Sequence, residues 1–213
     1  MRGSPRSRRL ANDRLALLRL QRESSIFEFE TPEAEGDELP EEYRLSFRGR
    51  GLYRSLGELT VRVREWHEVR VRLGASYPRM MPELFWETPI FHPNISSQGV
   101  VCLGGFSTHW APSLQLDRLC ELLWDMIRYQ NYDISNPYNW EAAHWARNQR
   151  EYSFPVDPRP LRTPRAAAVG SDPAVARGER GEFPLPEAPE GAAELFDPPP
   201  IVAEIVFLDD SPG

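Results

Sequence analysis

Cys102 stands in a frame of turn residues and side-chain amides that suits acyl transfer. The His92-Pro93-Asn94 run puts its Asn eight residues ahead of the cysteine, and Trp110 follows eight residues behind it, with Pro112 close after. A thiolate attacks carbonyl carbon readily, and the reaction needs a donor near the oxygen as negative charge builds there. The frame extends upstream through Tyr77-Pro78-Arg79-Met80-Met81-Pro82 and then Glu83 to Phe91. The loop around Cys102, with Gly104-Gly105 just beyond it, is short of apolar residues. Cys120 differs: it falls on the apolar side of a helical pattern and is expected to be core.

These residues need a scaffold, and hydrophobic periodicity predicts one. Ser7 to Gln21 reads as an amphipathic helix, with Leu10, Ala11, Leu15, Leu17 and Leu18 toward one side and arginines over the rest. Ile26 to Glu30 alternates and is a candidate short strand. Tyr43–Phe47, Leu59–Arg64 and His67–Leu73 alternate apolar residues with Arg or other polar groups, and Leu84–Glu87 makes a further strand between Pro82 and Pro89. A four-strand antiparallel meander is the economical topology. Leu116 to Tyr129 has helical spacing through Leu119, Cys120, Leu123, Trp124 and Ile127, and Asn139 caps a second helix from Trp140 to about Arg150. The expected class is α+β.

Composition narrows the setting. The chain has 213 residues, 40% of them hydrophobic, with six Trp, enough for a real core. All 25 basic residues are Arg and there is no lysine. A GC-rich genome accounts for this, and so does the hazard of lysine amines on an enzyme that carries a thioester. Seven Arg against one Asp lie between Met1 and Arg22, and five Arg against eleven acids lie beyond Tyr152. No sustained basic stripe suggests nucleic acid, no apolar run suggests a membrane span, and two cysteines suggest no disulfide framework. Cytoplasmic localisation is the expectation. Twelve of the 21 prolines lie from Pro155 onward, which predicts an acidic, mostly disordered tail over 153–213. The layout is thus an Arg-rich helix over 1–24, a catalytic core over 25–152, and that tail.

The frame around Cys102 resembles the catalytic core of ubiquitin-conjugating enzymes over roughly Tyr43 to Arg150. The resemblance implies a UBC-like fold: an N-terminal helix, a four-stranded meander and C-terminal helices packed on it. It also implies an activity, in which Cys102 accepts a ubiquitin-like protein as a thioester from an activating enzyme and passes it to a lysine amine. ATP serves the activating enzyme, so this chain is expected to need no cofactor and no metal. Its implied partners are the modifier, the activating enzyme and a protein substrate, with or without a ligase. Asn94 matches the family's Asn, whose amide stabilises the oxyanion or stiffens the loop, and an amide has the donor and acceptor to do both. His92 matches a structural position. Asn136, before Pro137, takes the place of a gate residue beside the incoming lysine, with Asp133 as a carboxylate nearby and His109 as another proton acceptor. Arg8, Arg9 and Arg19 match the helix that family members present to the activating enzyme.

Some features depart from the common pattern. Gly104 stands where an acid often follows Cys-Leu, the spacing ahead of Tyr77 differs, and Pro155 and Pro158 end the fold after one late helix. These resemble a divergent bacterial branch, some of whose members serve antiviral defence. The alternatives are a catalytically silent adaptor that binds the modifier on the same fold, typically without the cysteine, and a thiol hydrolase, for which no protease-like His motif is present. In the tail, Ile205, Val206, Phe207 and Leu208 precede Asp209-Asp210. Such a run is expected either to add a strand to a ubiquitin-like modifier or to fold back on the core.

Overall fold

Ser4 and Pro5 start the first helix. The Ser4 hydroxyl accepts the Ser7 N–H at 3.0 Å, and Pro5 occupies a first-turn position where its missing N–H costs nothing. In the computed structural model, which describes residues 4–32, 39–55, 57–103 and 110–163, this helix is α1 (Pro5–Glu23). Its buried row is Leu10, Asp13, Ala16, Leu17 and Leu20. Leu15 and Leu18 were expected on that side but are exposed. The helix rests on the 10–13–17–20 ridge, and a polar Asp13 at its centre hid that ridge from a count of apolar residues.

Four strands follow: β1 (Phe27–Glu30), β2 (Glu42–Tyr53), β3 (Arg62–Arg72) and β4 (Glu83–Trp86). They pair antiparallel in the order β1-β2-β3-β4, with Phe27 opposite Phe47, Val69 opposite Leu45 and Trp86 opposite Val69. The meander is the one expected, but its membership differs. The segments 59–64 and 67–73 are not two strands. They largely form one, β3, with Leu59 outside it and almost fully exposed. The candidate segment at 26–30 supplies the first strand. Residues 65 and 66 read as a break because Glu-Trp interrupts the alternation, yet the strand continues through them, with Trp66 opposite Arg48 and Arg64 opposite Gly51 on β2.

The register slips between Arg48 and Gly51. At Gly49 a side chain would overlap Trp124 and Asp157, so the bulge lets later parts of the chain lie directly on the sheet. Those parts are α2 (Leu116–Ile127), through Trp124, and the segment around Asp157; between them lies α3 (Trp140–Asn148), capped by Asn139, whose side chain accepts the Ala142 N–H at 3.0 Å. The main core joins Leu17 and Leu20 of α1 and Phe47 and Val69 of the sheet to Leu123 and Trp124 of α2. A smaller cluster of Leu52, Phe91, Tyr129, Ala142 and Val156 lies beside it. No helix among the described residues is long and apolar enough to cross a membrane.

The core does not end at residue 152. Val156, Asp157 and Leu161 are buried, and Trp124 Nε1 donates to the Arg159 carbonyl at 2.8 Å. The Ser25 N–H donates to the Thr163 carbonyl at 2.9 Å. Arg162 reaches Glu23, Asp117 and Glu121 together. The prolines shape an extended strap across the sheet and helices, which composition alone read as the start of a disordered tail. Residues 164–213 lie outside the described part of the chain.

Candidate active site

The cysteine is delivered by a small hairpin at the end of the sheet. Ile95 bridges to Val101 and Val100 bridges to Phe85 of β4. Gly99 turns the chain with φ +87°, and a side chain there would overlap the Trp86 carbonyl; the Trp86 N–H donates to the Gly99 carbonyl at 2.7 Å. The Cys102 N–H then donates to the Asn94 carbonyl at 2.9 Å. The cysteine's backbone is therefore fixed to the residue expected to assist it. Cys102 is partly exposed, while Cys120 is fully buried in the main core, where burial pushes its thiol well above the ordinary range.

His92 acts inside the turn. Its Nδ1 accepts the Asn94 N–H at 3.1 Å, and its ring meets Tyr129 edge-on at 4.9 Å. Complete burial pushes it down to about 3, against a smaller opposing pull from the Asn131 backbone, so it is neutral near pH 7. This suits a structural residue.

Asn94, 2% exposed, uses both ends of its amide on one residue. Nδ2 donates to the Asp133 carbonyl at 2.9 Å and Oδ1 accepts the Asp133 N–H at 2.7 Å. The amide thus ties the cysteine's turn to the segment between α2 and α3, which is the loop-stiffening half of the expectation. The Asp133 carboxylate faces the other way. It accepts the Ser135 N–H at 2.7 Å and the Ser135 hydroxyl at 2.5 Å, and these bonds hold it below the usual carboxylate range. A carboxylate so stabilised is a weaker base. Asn136 is exposed on the same segment.

The Pro93 carbonyl receives two N–H groups, from Tyr138 at 2.8 Å and Asn139 at 2.9 Å. This fixes the start of α3 to the same turn and leaves Tyr138 exposed there, its phenol raised above its ordinary range chiefly by the charge of Cys102. Sequence reasoning passed over Tyr138; its place directly after Asn136-Pro137 was the available signal.

Arg9 is not a surface group. It pairs with the buried Asp13 at 2.6 Å, donates to the Tyr77 hydroxyl at 2.8 Å and reaches the carbonyls of Pro112 and Leu114. Tyr77 donates to Asp13 at 2.6 Å, and Trp110 Nε1 donates to the Pro78 carbonyl at 2.7 Å. The network anchors α1 to the segment between the cysteine loop and α2. Arg8 and Arg19 are exposed, as a partner surface requires. His109 and the run Ile205, Val206, Phe207 and Leu208 lie outside the described residues.

Residues 60–157 match the ubiquitin-conjugating enzyme family. The UBC-like match contains Cys102, Asn94, Asp133 and Tyr138, and it runs into the buried strap after α3. "Ubiquitin-conjugating enzyme E2 16" of Schizosaccharomyces pombe is 36% identical over 78 residues, 36% of this chain and 48% of that protein. "Probable ubiquitin-conjugating enzyme E2 31" of Arabidopsis thaliana is 26% identical over 125 residues, 51% of this chain and 79% of that protein. The chain thus spans about half the length of the first relative. The fold is UBC-like: an N-terminal helix, a four-stranded antiparallel sheet and later helices. Both relatives are eukaryotic and lend no support to a bacterial branch.

Proposed function

We propose that this chain is a ubiquitin-conjugating-type enzyme, which accepts a ubiquitin-like protein as a thioester on Cys102 and transfers it to an amine. The observation that carries this is the hold on Cys102: a partly exposed thiol whose main chain is hydrogen-bonded to Asn94, within the segment that matches the family. In loading, the Cys102 thiolate attacks the carbonyl carbon of the modifier's thioester on the activating enzyme. The new C–S bond forms and the donor sulfur leaves as thiolate. In discharge, a neutral amine attacks the same carbon, the C–N bond forms, the Cys102 sulfur leaves with the electron pair, and the amine's extra proton goes to solvent.

Several groups have proposed parts in this. Asn94 keeps the turn rigid, and its second Nδ2 hydrogen is the donor for the developing oxyanion. Asn136, exposed beside the turn, lines the approach of the amine, and Asp133 supplies negative charge nearby more readily than it takes a proton. His109 stands as a further proton acceptor. Arg8 and Arg19 offer charge to an activating enzyme, and residues 205–208 offer a strand to the modifier. The chain has no lysine, so the thioester meets no side-chain amine of its own.

The test supplies ubiquitin, its activating enzyme and ATP, and resolves products without reductant. A thiol-labile adduct is expected on the full chain and on Cys120→Ala, and none on Cys102→Ala. An adduct that persists in Cys102→Ala, or is lost only in Cys120→Ala, overturns the assignment.

A further inference from the structure

Arg54, the first residue after β2, makes a ring contact and an ion pair that lead to the same turn. Its guanidinium lies over the Phe91 ring, 4.3 Å from the centroid, and pairs with the carboxylate of Glu141 in the first turn of α3. Phe91 is the residue before His92-Pro93-Asn94. Its N–H donates to the Leu52 carbonyl at 2.8 Å, so β2 holds the entry to the turn by main chain as well as through Arg54. On the other side, the N–H groups of Tyr138 and Asn139, just ahead of Glu141, are the pair that the Pro93 carbonyl accepts. The guanidinium therefore joins the chain entering the turn to the helix bound at the turn's middle. Phe91 has packing of its own, edge-on against Trp145 at 5.7 Å, and the Glu141 side chain is 73% exposed. An ion pair with so exposed a partner adds little stability by itself, and a cation–π contact adds a modest amount. What the arrangement fixes is the spacing of the two segments that meet at Pro93.

We propose that Arg54 is a positioning residue for acyl transfer: by holding Phe91 and Glu141 together it keeps the Pro93 and Asn94 peptide groups where they aim Cys102 and the Asn94 amide. The proposal deepens the acyl-transfer reading and rests on it. Cys102 takes its place from this turn through the Asn94 carbonyl, and the Asn94 side chain takes its own through Asp133. A turn that parts from α3 some of the time leaves sulfur and amide misaligned for that time. Such misalignment is felt in the rate of the chemical step more than in the binding of the amine, which Arg54 is not called on to touch. The group that acts is the cation. An uncharged side chain fills part of the same space but does not draw the carboxylate toward the ring.

The experiment follows amide hydrogen exchange by NMR on the full, unloaded chain, in wild type, Arg54→Leu and Arg54→Lys. It needs neither modifier nor activating enzyme, so its result is independent of the proposed function. Leu keeps the apolar stem and removes the charge, whereas Lys keeps the charge. In Arg54→Leu the protection of the Tyr138 and Asn139 N–H groups is expected to fall about tenfold, the equivalent of one cation–π contact. It should stay well below that of Val69 in the middle of the sheet, because the opening is local. Arg54→Lys should restore most of the protection. On the loaded enzyme, Arg54→Leu should lower the maximal rate of discharge to free lysine about tenfold. The lysine concentration giving half that rate should be unchanged. Glu141→Gln, which leaves Arg54 on the ring, should show the same pattern more weakly, and it is read by the same criteria if Arg54→Leu does not fold.

Wild-type protection at Tyr138 and Asn139 in the folded variant overturns the proposal. So does protection there equal to that of Val69, which marks opening only with the whole chain, or an Arg54→Lys chain that exchanges as Arg54→Leu does. Faster exchange with discharge at the wild-type rate overturns the positioning role as well. A chain that shows the exchange pattern but never loads ubiquitin overturns the proposed function and leaves the Arg54 clamp on the turn standing.

Discussion

Asn94 and Asp133, 39 residues apart, exchange two hydrogen bonds between a side-chain amide and a peptide unit. The pairing has a direction: Asp133 offers one donor and one acceptor from its main chain, and an amide side chain can complement both. Asn94→Ala leaves both groups without that partner, at a cost of about 1–3 kcal/mol for each group that stays buried and unsatisfied. Asn94→Asp keeps the acceptor but sets a carboxylate oxygen against the Asp133 carbonyl, and it is expected to destabilise at least as much. Denaturant melts check this. In turnover, Asn94→Ala should slow discharge more than loading, by about 10²–10³ if it is the oxyanion donor. Normal discharge by a folded Asn94→Ala chain would leave only the stiffening role.

Stability should fall as acid is added from about pH 6.5 downward. His92 is held at about 3 and His67 at about 4, both by burial. Each is neutral when folded but protonates near 6.5 when unfolded, so below that pH the unfolded state binds more protons. Their contribution is full above about pH 6.5 and is lost as pH falls toward the folded values, at up to about 1.4 kcal/mol per pH unit for each histidine. Asp157, lowered to about 2 by Arg159 and backbone N–H donors against its own desolvation, adds a further loss only below about 3.8. Urea midpoints at pH 7, 5.5 and 4.5 read the slope. A flat profile over that span would contradict the burial of neutral His67 and His92.

The arginines of α1 should separate by role. Arg9→Ala leaves the carboxylate of Asp13, which has no exposure, without its counter-ion, and is expected to cost about 3–5 kcal/mol. Arg8→Ala and Arg19→Ala should stay within about 0.5 kcal/mol of wild type and, if they face an activating enzyme, slow loading with no effect on the melt. A stable Arg9→Ala chain would remove the anchoring role of the Arg9–Asp13–Tyr77 group.

A chain that ends at Thr163 and one that ends at Tyr152 should differ sharply. The shorter one loses the burial of Val156 and Leu161, about 1.5–3 kcal/mol each, together with the bonds from the Arg50 N–H to Asp157 and from Trp124 Nε1 to the Arg159 carbonyl. Thermal melts are expected to show a loss large enough to unfold much of the shorter chain at room temperature. Equal melting temperatures would return the core boundary to residue 152.

Much of this was legible from the residues. Period-two alternation marked the meander, Asn139 announced α3, and the spacing about Cys102 paired the cysteine with Asn94, to whose carbonyl its N–H is bonded. What stayed hidden has a common cause. Leu15 and Leu18 look like core because periodicity counts apolar side chains, and Asp13 at the centre of the buried ridge belongs to the core through Arg9 and Tyr77, far away in sequence. Arg9 has the composition of a surface residue for the same reason. The strap at 153–163 is rich in proline, which reads as disorder, although proline also suits an extended segment that packs by side chains and needs few ladder bonds. The partnership of Asn94 with Asp133 is a main-chain matter that residue types do not encode.

The bonds that fix the sulfur's surroundings are mostly bonds to peptide groups: the Asn94 and Pro93 carbonyls, and the amide and carbonyl of Asp133. The framework is therefore separable from the exposed side chains it carries. Exposed side chains on the same segment, Asn136 and Tyr138 among them, can be exchanged while the peptide framework that aims the sulfur stays put. Under the proposed function, that segment can be varied one side chain at a time, with a change in product distribution and a nearly unchanged melting curve as the expected outcome.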